Sequence, residues 1–164
     1  LVGFLCGQLP GVKVRIVDTD PRREPLARAL GLDFAQPDAA PLEQDLVIHA
    51  SGNPAGLKTA LSLAGLEATI LELSWYGQKE VCLPLGGAFH SRQLKIISSQ
   101  VGHVAASHRA RWTHKRRLEA ALSLLSDARL DVLLEPAVHF QDLPAALPRI
   151  FDNKNGVLCQ LIQY

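Results

Sequence analysis

The sequence predicts an α/β protein built on a doubly wound, mostly parallel sheet. Apolar runs of strand length alternate with segments of helical periodicity along its 164 residues, a spacing typical of parallel βαβ units. The run before "ASG" is almost continuously apolar, as expected for a strand covered on both faces. Small or polar residues follow successive predicted strands, at the end of a parallel sheet where ligands bind.

The first forty residues read as helix, strand, helix and strand. Apolar residues recur at helical spacing in "LVGFLCGQL", and Pro10-Gly11 ends that pattern. The β-branched run at residues 12–17 predicts a strand. Asp20-Pro21 is typical of a helix N-terminus, and Gly31 of a helix end. A short strand is predicted at "LDFA", followed by a polar loop.

The remainder continues the alternation of strands and helices. We predict strands at "DLVIH", "ATILELSW" and "LKIISSQ", with a helix over residues 53–63 after the first of them. "EVCLPL" predicts a short edge strand, because Pro84 cannot donate to a central ladder. Further helices are predicted over about residues 110–125 and 143–151, and the last strand at "VLCQLIQY".

Composition excludes several classes of function. The formal net charge of +1 gives no field that would attract nucleic acid, and the longest apolar runs are shorter than a membrane span. Three widely spaced cysteines indicate free thiols, which favours a cytoplasmic location and predicts no metal site. The sequence has no methionine, even at position 1, so we expect it to be the later part of a longer protein.

The candidate binding residues lie at the carboxyl ends of the predicted strands. An acid at a strand end is suited to a ribose hydroxyl, while small residues let a flat ligand approach the backbone. Arg23 lies close to the first of these ends. No catalytic residue and no metal ligand is predicted. The candidates at the strand ends are Asp18, Ser51, Gly52, Ser74, Trp75, Ser98 and Ser99.

Four segments in this order resemble one known family. They are "VRIVDTDPRREPLARALGLDFA", "DLVIHASGNPAGLKTALSLAGLEATILELSWYG", "LKIISSQVG" and the tail "AVHFQDLPAALPRIFDNKNGVLCQLIQY". Together they resemble the nucleotide-binding half of the zinc-type medium-chain dehydrogenases and reductases, the alcohol and polyol dehydrogenase group. The resemblance covers essentially the whole chain and implies a Rossmann-type fold. Residues 1–164 are then a partial NAD(P)-binding domain, with the tail from about residue 136 to 164 packing toward, or returning from, a separate catalytic domain.

The resemblance also implies a role for each candidate. Asp18 binds the adenosine ribose of NAD(H), and Arg23 reaches the same ribose. Ser51 and Gly52 line the adenosine side. Ser74 and Trp75 are implied to contact the nicotinamide ribose, and Ser98 and Ser99 to contact the carboxamide. The implied reaction is hydride transfer between an alcohol and nicotinamide, with zinc held in the separate catalytic domain. The segment from Val81 to Leu85 is implied to pair with its twin in a homodimer or tetramer.

The cofactor expectation is NAD, with NADP the less favoured alternative. An acid at position 18 repels a 2′-phosphate, although arginines such as Arg22 and Arg23 are residues that would bind one. Two departures from the family weaken the expected binding of the cofactor diphosphate. The first strand and its G-x-G-x-x-G turn are expected before Leu1, because Gly3 and Gly7 do not make that fingerprint. The basic residue expected near Leu158 or Cys159 is also missing.

Other interpretations remain open at the level of sequence. An acid at the same strand end also serves methyltransferases that bind S-adenosylmethionine, and a non-catalytic nucleotide-binding or interaction domain fits the weakened diphosphate grip. The segment "HRARWTHKRR" places Trp112 among basic residues and could bind phosphate or single-stranded nucleic acid. The balanced net charge argues against nucleic acid. His49, just before "ASG", is interpreted as a buried, hydrogen-bonded residue, and Trp75 as either packing or ligand contact.

Overall fold

A computed structural model describes residues 1–152 and 155–164 of the chain. It is an α/β protein in which every strand pairing among these residues is parallel, which confirms the predicted fold class. The chain forms two compact units, one from Leu1–Gln36 with Lys115–Tyr164 and one from Pro37–His114. Its strands are divided among three sheets, of two, three and two strands. No helix of the described residues is long and apolar enough to cross a membrane.

The first part of one unit follows the predicted order of elements. Its sheet pairs two short strands in parallel, with Arg15 opposite Asp33, and these two side chains also form an ion pair at 3.1 Å. Asp20 begins the helical turn at Pro21–Arg23 because its carboxylate accepts the backbone N–H of Arg22. The elements are α1 (Val2–Gly7), β1 (Arg15–Val17), α2 (Glu24–Ala29) and β2 (Asp33–Ala35).

The core of this unit brings early and late residues together. Phe4 of α1 is buried, and the guanidinium carbon of Arg129 lies 4.7 Å from the centre of its ring. Gly3 lets α1 pack closely, because a Cβ at this position would lie 2.6 Å from Cδ1 of Ile16 in β1. The later elements are α4 (His114–Leu124), β6 (Leu134–His139), α5 (Leu143–Phe151) and β7 (Cys159–Gln163), with β6 and β7 paired in parallel.

The other unit is a three-stranded parallel sheet with one helix between its first two strands. Asn53 caps that helix through its side chain, and Pro54 occupies the first position, where its missing N–H costs nothing. The elements are β3 (Gln44–His49), α3 (Pro54–Leu63), β4 (Ala64–Glu72) and β5 (Lys95–Ser98), and β4 is central. The apolar face of α3 packs on β4 around Ile70, whose side chain is fully buried.

Three predictions about the elements differ from the structure. The predicted edge strand at "EVCLPL" is wrong: residues 80–84 are irregular, because Val81 and Leu83 pack on the α3 and β4 core and Pro84 has no N–H to donate. Helical turns follow at Leu85–Phe89, with a kink at the non-helical backbone of Gly87. The long helix predicted from about residue 110 begins only at His114, after a series of turns. β1 begins at Arg15 rather than residue 12.

Candidate functional site

The end of β1 presents the carboxylate of Asp18. Its backbone N–H donates to the carbonyl of Ala35 at 3.2 Å, which continues the pairing with β2 by one residue. Its Oδ1 atom accepts the backbone N–H of Asp20 at 2.8 Å, so the side chain closes a tight local turn. No described residue donates a hydrogen bond to Oδ2. This oxygen therefore keeps its acceptor capacity for a ligand.

The two arginines beside this strand end have partners within the protein. Arg22 forms an ion pair with Asp20, with 2.8 Å between Nη2 and Oδ2, and its hydrogen bonds hold the pKa of that carboxyl below its ordinary value. Arg23 donates from Nη1 to the carbonyl oxygen of Gly156 at 2.6 Å. Both arginines near Asp18 thus interact with other residues of the chain, and the bond from Arg23 helps to hold the segment before β7 in place.

The ends of β3, β4 and β5 lie at one edge of their sheet. The register places His49 opposite Glu72 and Glu72 opposite Ser98, so the residues that follow each strand emerge side by side. Six of the predicted site residues, from the three strands, are therefore brought together in this unit. They are Ser51 and Gly52 after β3, Ser74 and Trp75 after β4, and Ser98 and Ser99 at the end of β5.

Hydrogen bonds join the three strand ends. The backbone N–H of Gly52 donates to Oγ of Ser74 at 3.0 Å, which links the loops after β3 and β4. Gly52 has a φ of +64°, a backbone conformation that glycine adopts without steric cost. The N–H of Ser99 donates to the carbonyl of Glu72 at 2.8 Å and links β5 to β4. The edge is therefore a connected surface of small and hydroxyl-bearing residues.

Trp75 projects from this edge. Its side chain is 88% exposed, so it does not pack in the core of its own unit. Ser74, directly before it, is half-buried and holds the loop through the bond to Gly52. Of the two interpretations of Trp75, burial within this unit is thus excluded.

A buried histidine lies beneath these strand ends. His49, the last residue of β3, is only 6% exposed. Its Nδ1 atom lies 2.8 Å from Oε2 of Glu72, and its Nε2 atom lies 2.7 Å from Oγ of Ser51. The expectation that His49 is buried and hydrogen-bonded is confirmed. We call Glu72, His49 and Ser51 the His49 relay.

Glu72 is the residue that sequence reasoning missed. Burial opposes its ionisation, but donors from Ser74 and His49 outweigh that effect and hold the pKa of the carboxyl below its ordinary value. The N–H of Ser74 lies at 2.7 Å and the hydroxyl of Tyr76 at 3.1 Å. Burial, together with the charge of Glu72, raises the pKa of Tyr76. The sequence signal that could have identified Glu72 is an acid inside the otherwise apolar run "ILEL".

The basic segment around Trp112 does not form one helical face. Arg109 and Arg111 lie in turns before α4, and Trp112 is half-buried with an edge-on contact to the ring of His108. Arg109 approaches the carbonyl of Val104 at 3.4 Å. In the described part of the chain, no three histidine, cysteine, aspartate or glutamate side chains form a group that could hold a metal ion.

The fold of this chain is similar to the folds of several dehydrogenases of known structure. L-Idonate 5-dehydrogenase from Escherichia coli K-12 is similar over 93% of this chain and 43% of its own, at 18% identity and a TM-score of 0.71. A short chain alcohol dehydrogenase (rspB) from E. coli CFT073, solved with the cofactor NADH, is similar over 99% of this chain and 48% of its own, at 19% identity and a TM-score of 0.72.

Another structure, an alcohol dehydrogenase zinc-binding domain protein from Burkholderia ambifaria, is similar over 93% of this chain and 42% of its own, at 15% identity and a TM-score of 0.68. Structures in this group were solved with NADH, NAD or NADP. No protein-family model and no curated protein matches the chain. The chain spans about half the length of these neighbours or less. It has their fold over that part.

Proposed function

We propose that this chain is the cofactor-binding part of an NAD-dependent alcohol or polyol dehydrogenase. The observation that carries the proposal is an acid with an open oxygen at the end of a parallel strand, in a fold shared with a dehydrogenase solved with NADH. In this proposal the reaction is hydride transfer between an alcohol and the nicotinamide ring. The chain binds and orients the cofactor, and the chemistry belongs to the cofactor itself.

The role of Asp18 favours NAD over NADP. Its Oδ2 atom is available to accept a ribose hydroxyl, and its charge would repel a 2′-phosphate at the same place. Arg22 is neutralised by Asp20, and Arg23 is engaged by Gly156. Both arginines thus already use some of their donors within the protein. We therefore propose that the ribose is recognised by Asp18 with its 2′-hydroxyl free, and that Arg23 reaches the same ribose.

The remaining residues form the proposed contact surface for the other parts of the cofactor. We assign Ser51 and Gly52 to the adenosine side, Ser74 and Trp75 to the nicotinamide ribose, and Ser98 with Ser99 to the carboxamide. Their support is that all of them emerge at the carboxyl ends of parallel strands. The exposed ring of Trp75 offers a flat apolar face beside hydroxyl groups, the combination typical of a small-molecule site.

Gly3 adds support from the other unit. A glycine that lets a helix approach a strand closely is one of the three glycine roles in dinucleotide-binding fingerprints. Gly3 has that role between α1 and β1, although the sequence pattern around it does not match the fingerprint.

We place the zinc and the substrate pocket of this dehydrogenase outside the residues described here, since these contain no group suited to a metal. A bound zinc ion would polarise the oxygen of the alcohol or carbonyl substrate. We also propose a homodimer or tetramer through the segment between Val81 and Leu85, which alternates half-buried and exposed residues without a strand partner in its unit. Light scattering of the full-length protein tests the assembly.

The proposal is tested by calorimetric titration of the full-length protein and its Asp18→Asn variant with NADH. Asparagine keeps the oxygen that accepts the N–H of Asp20 and replaces the open oxygen with a donor. Loss of a hydrogen bond to a charged group predicts an approximately 10-fold to 100-fold higher Kd. Asp38→Asn, at an exposed loop acid of the same charge, is the matched control. Equal affinity in wild type and Asp18→Asn would contradict the role of Asp18.

A further inference from the structure

The His49 relay lies directly beneath a residue that the proposed function assigns to the cofactor. Ser51 is exposed, whereas His49 and Glu72 are largely withdrawn from solvent. The two contacts of the ring, 2.8 Å to Glu72 and 2.7 Å to Ser51, have the lengths of good hydrogen bonds. The relay therefore connects a buried carboxylate to a hydroxyl at the surface.

The partners of Glu72 assign the tautomer of His49. An ionised carboxylate only accepts hydrogen bonds, so the ring must donate to it from Nδ1. A neutral imidazole that carries its proton on Nδ1 has a lone pair on Nε2. Ser51 must then donate its hydroxyl proton to Nε2. The negative charge of Glu72 therefore determines which atom donates and which accepts in each hydrogen bond of the His49 relay.

Ser51 is consequently presented to a ligand as an acceptor. Its proton is committed to His49, and one of its lone pairs accepts the backbone N–H of Asn53 at 3.2 Å. One lone pair remains. The ligand group that matches it is a donor, such as a ribose hydroxyl, rather than a phosphate oxygen.

Close packing fixes this geometry from the side of α3. A Cβ on Gly56 would lie 2.4 Å from Oγ of Ser51 and 2.7 Å from Nε2 of His49. The bare Cα of Gly56 thus lies over the hydrogen bond between them. No larger residue fits this position without displacing the serine or the ring.

The relay has the order of a serine nucleophile, a histidine base and a carboxylate, but its surroundings favour positioning over nucleophilic catalysis. A nucleophile of this kind needs backbone N–H groups that stabilise an oxyanion. In this loop the N–H of Gly52 donates to Ser74, and that of Asn53 donates to Ser51 itself. These two donors are therefore already used.

We infer that His49 is a positioning residue that fixes the hydroxyl of Ser51 as a hydrogen-bond acceptor for a ribose hydroxyl. The inference rests on the proposed function and names how one part of that site recognises its ligand.

The bond directions are tested without any ligand by ¹⁵N NMR of the histidine ring nitrogens in the full-length protein. At neutral pH we expect His49 to carry its proton on Nδ1, with an unprotonated, hydrogen-bonded Nε2. Ser51→Ala should shift the Nε2 signal and leave Nδ1 protonated. Glu72→Gln should weaken the preference for the Nδ1 proton. A ring protonated on Nε2 in the neutral wild type would overturn the inference.

The consequence for binding is tested by the Kd of NADH at neutral pH. Ser51→Ala should bind about 3-fold to 10-fold more weakly than the wild type, the range for one uncharged hydrogen bond. Ser62→Ala, on the exposed face of α3, should bind as tightly as the wild type. Gly56→Ala retains the hydroxyl but should also bind more weakly, because its Cβ displaces Ser51 or His49.

Wild-type affinity for NADH in both Ser51→Ala and Gly56→Ala would overturn the role of the relay. Turnover of an activated ester that disappears in Ser51→Ala would also overturn it and favour the nucleophile. If the wild type binds no dinucleotide at any pH, the proposed function fails, and the role of the relay in binding fails with it. The ring-nitrogen signals would still decide separately whether the bonds run in the inferred direction.

Discussion

At the scale of the residue, a partly buried acid and a buried histidine share one hydrogen-bonded network. Glu72 accepts from His49, from the N–H of Ser74 and from Tyr76. These donors stabilise the ionised carboxylate more than water does in the unfolded chain, because the pKa is lowered on folding despite burial. The network therefore stabilises the strand ends most when Glu72 is ionised.

The stability of the protein is expected to depend on Glu72 in acid. The lowered pKa means that its contribution is present above the unfolded value, near 4.5, and is lost as the pH falls through the folded value. The melting temperature of the wild type should therefore drop between about pH 5 and pH 3 more steeply than that of Glu72→Gln. Thermal unfolding followed by circular dichroism measures both. Parallel curves for the two proteins would contradict the account.

Part of this site was predictable from the residues alone. Serines after three apolar runs mark strand ends, because parallel strands finish at a common edge. The contact between His49 and Glu72 was not predictable, since it depends on the register between β3 and β4. A shift of one residue would turn the two side chains to opposite faces of the sheet. Likewise, nothing in "DPRRE" indicates which arginine donates a hydrogen bond to the carbonyl of Gly156, 133 positions away.

At the scale of the element, β4 is the strand on which the second unit depends. It pairs with β3 on one side and β5 on the other, and α3 packs against it. Continuous apolar character predicted a strand covered on both faces at β3, but Leu46 in β3 is 50% exposed. The strand predicted at residues 80–85 is also wrong, because the partly buried Val81 and Leu83 belong to an irregular segment. Burial pattern alone does not distinguish a strand from an irregular segment when no ladder partner is known.

Truncation in the centre of β4 should be costly. Ile70 is 0% exposed, and Ile70→Ala removes buried methyl groups and leaves a cavity. We expect a loss of about 2 to 5 kcal/mol in the free energy of unfolding, measured by urea denaturation. Ile97→Ala in β5 is the matched control, because that side chain is 49% exposed, and it should cost less than about 1 kcal/mol. Equal losses would mean that β4 is not the core of its unit.

At the scale of the whole molecule, the chain forms two compact units, and each of them contains parallel strands. One carries Asp18, and the other carries the serines and Trp75. The parallel α/β architecture was predictable because strand and helix periods alternate along the sequence. The division into separate sheets was not, since hydrophobic periodicity reports which face of a strand is buried and not which strand lies beside it.

The central claim, that these strand ends bind NAD, is tested most directly by calorimetric titration of the full-length wild-type protein with NADH, NADPH and S-adenosylmethionine under identical conditions. The account predicts that NADH binds at least about 10-fold more tightly than NADPH, because a 2′-phosphate meets the carboxylate of Asp18 and both nearby arginines are engaged. S-Adenosylmethionine should not bind. Preference for NADPH, or binding of S-adenosylmethionine alone, would contradict the account.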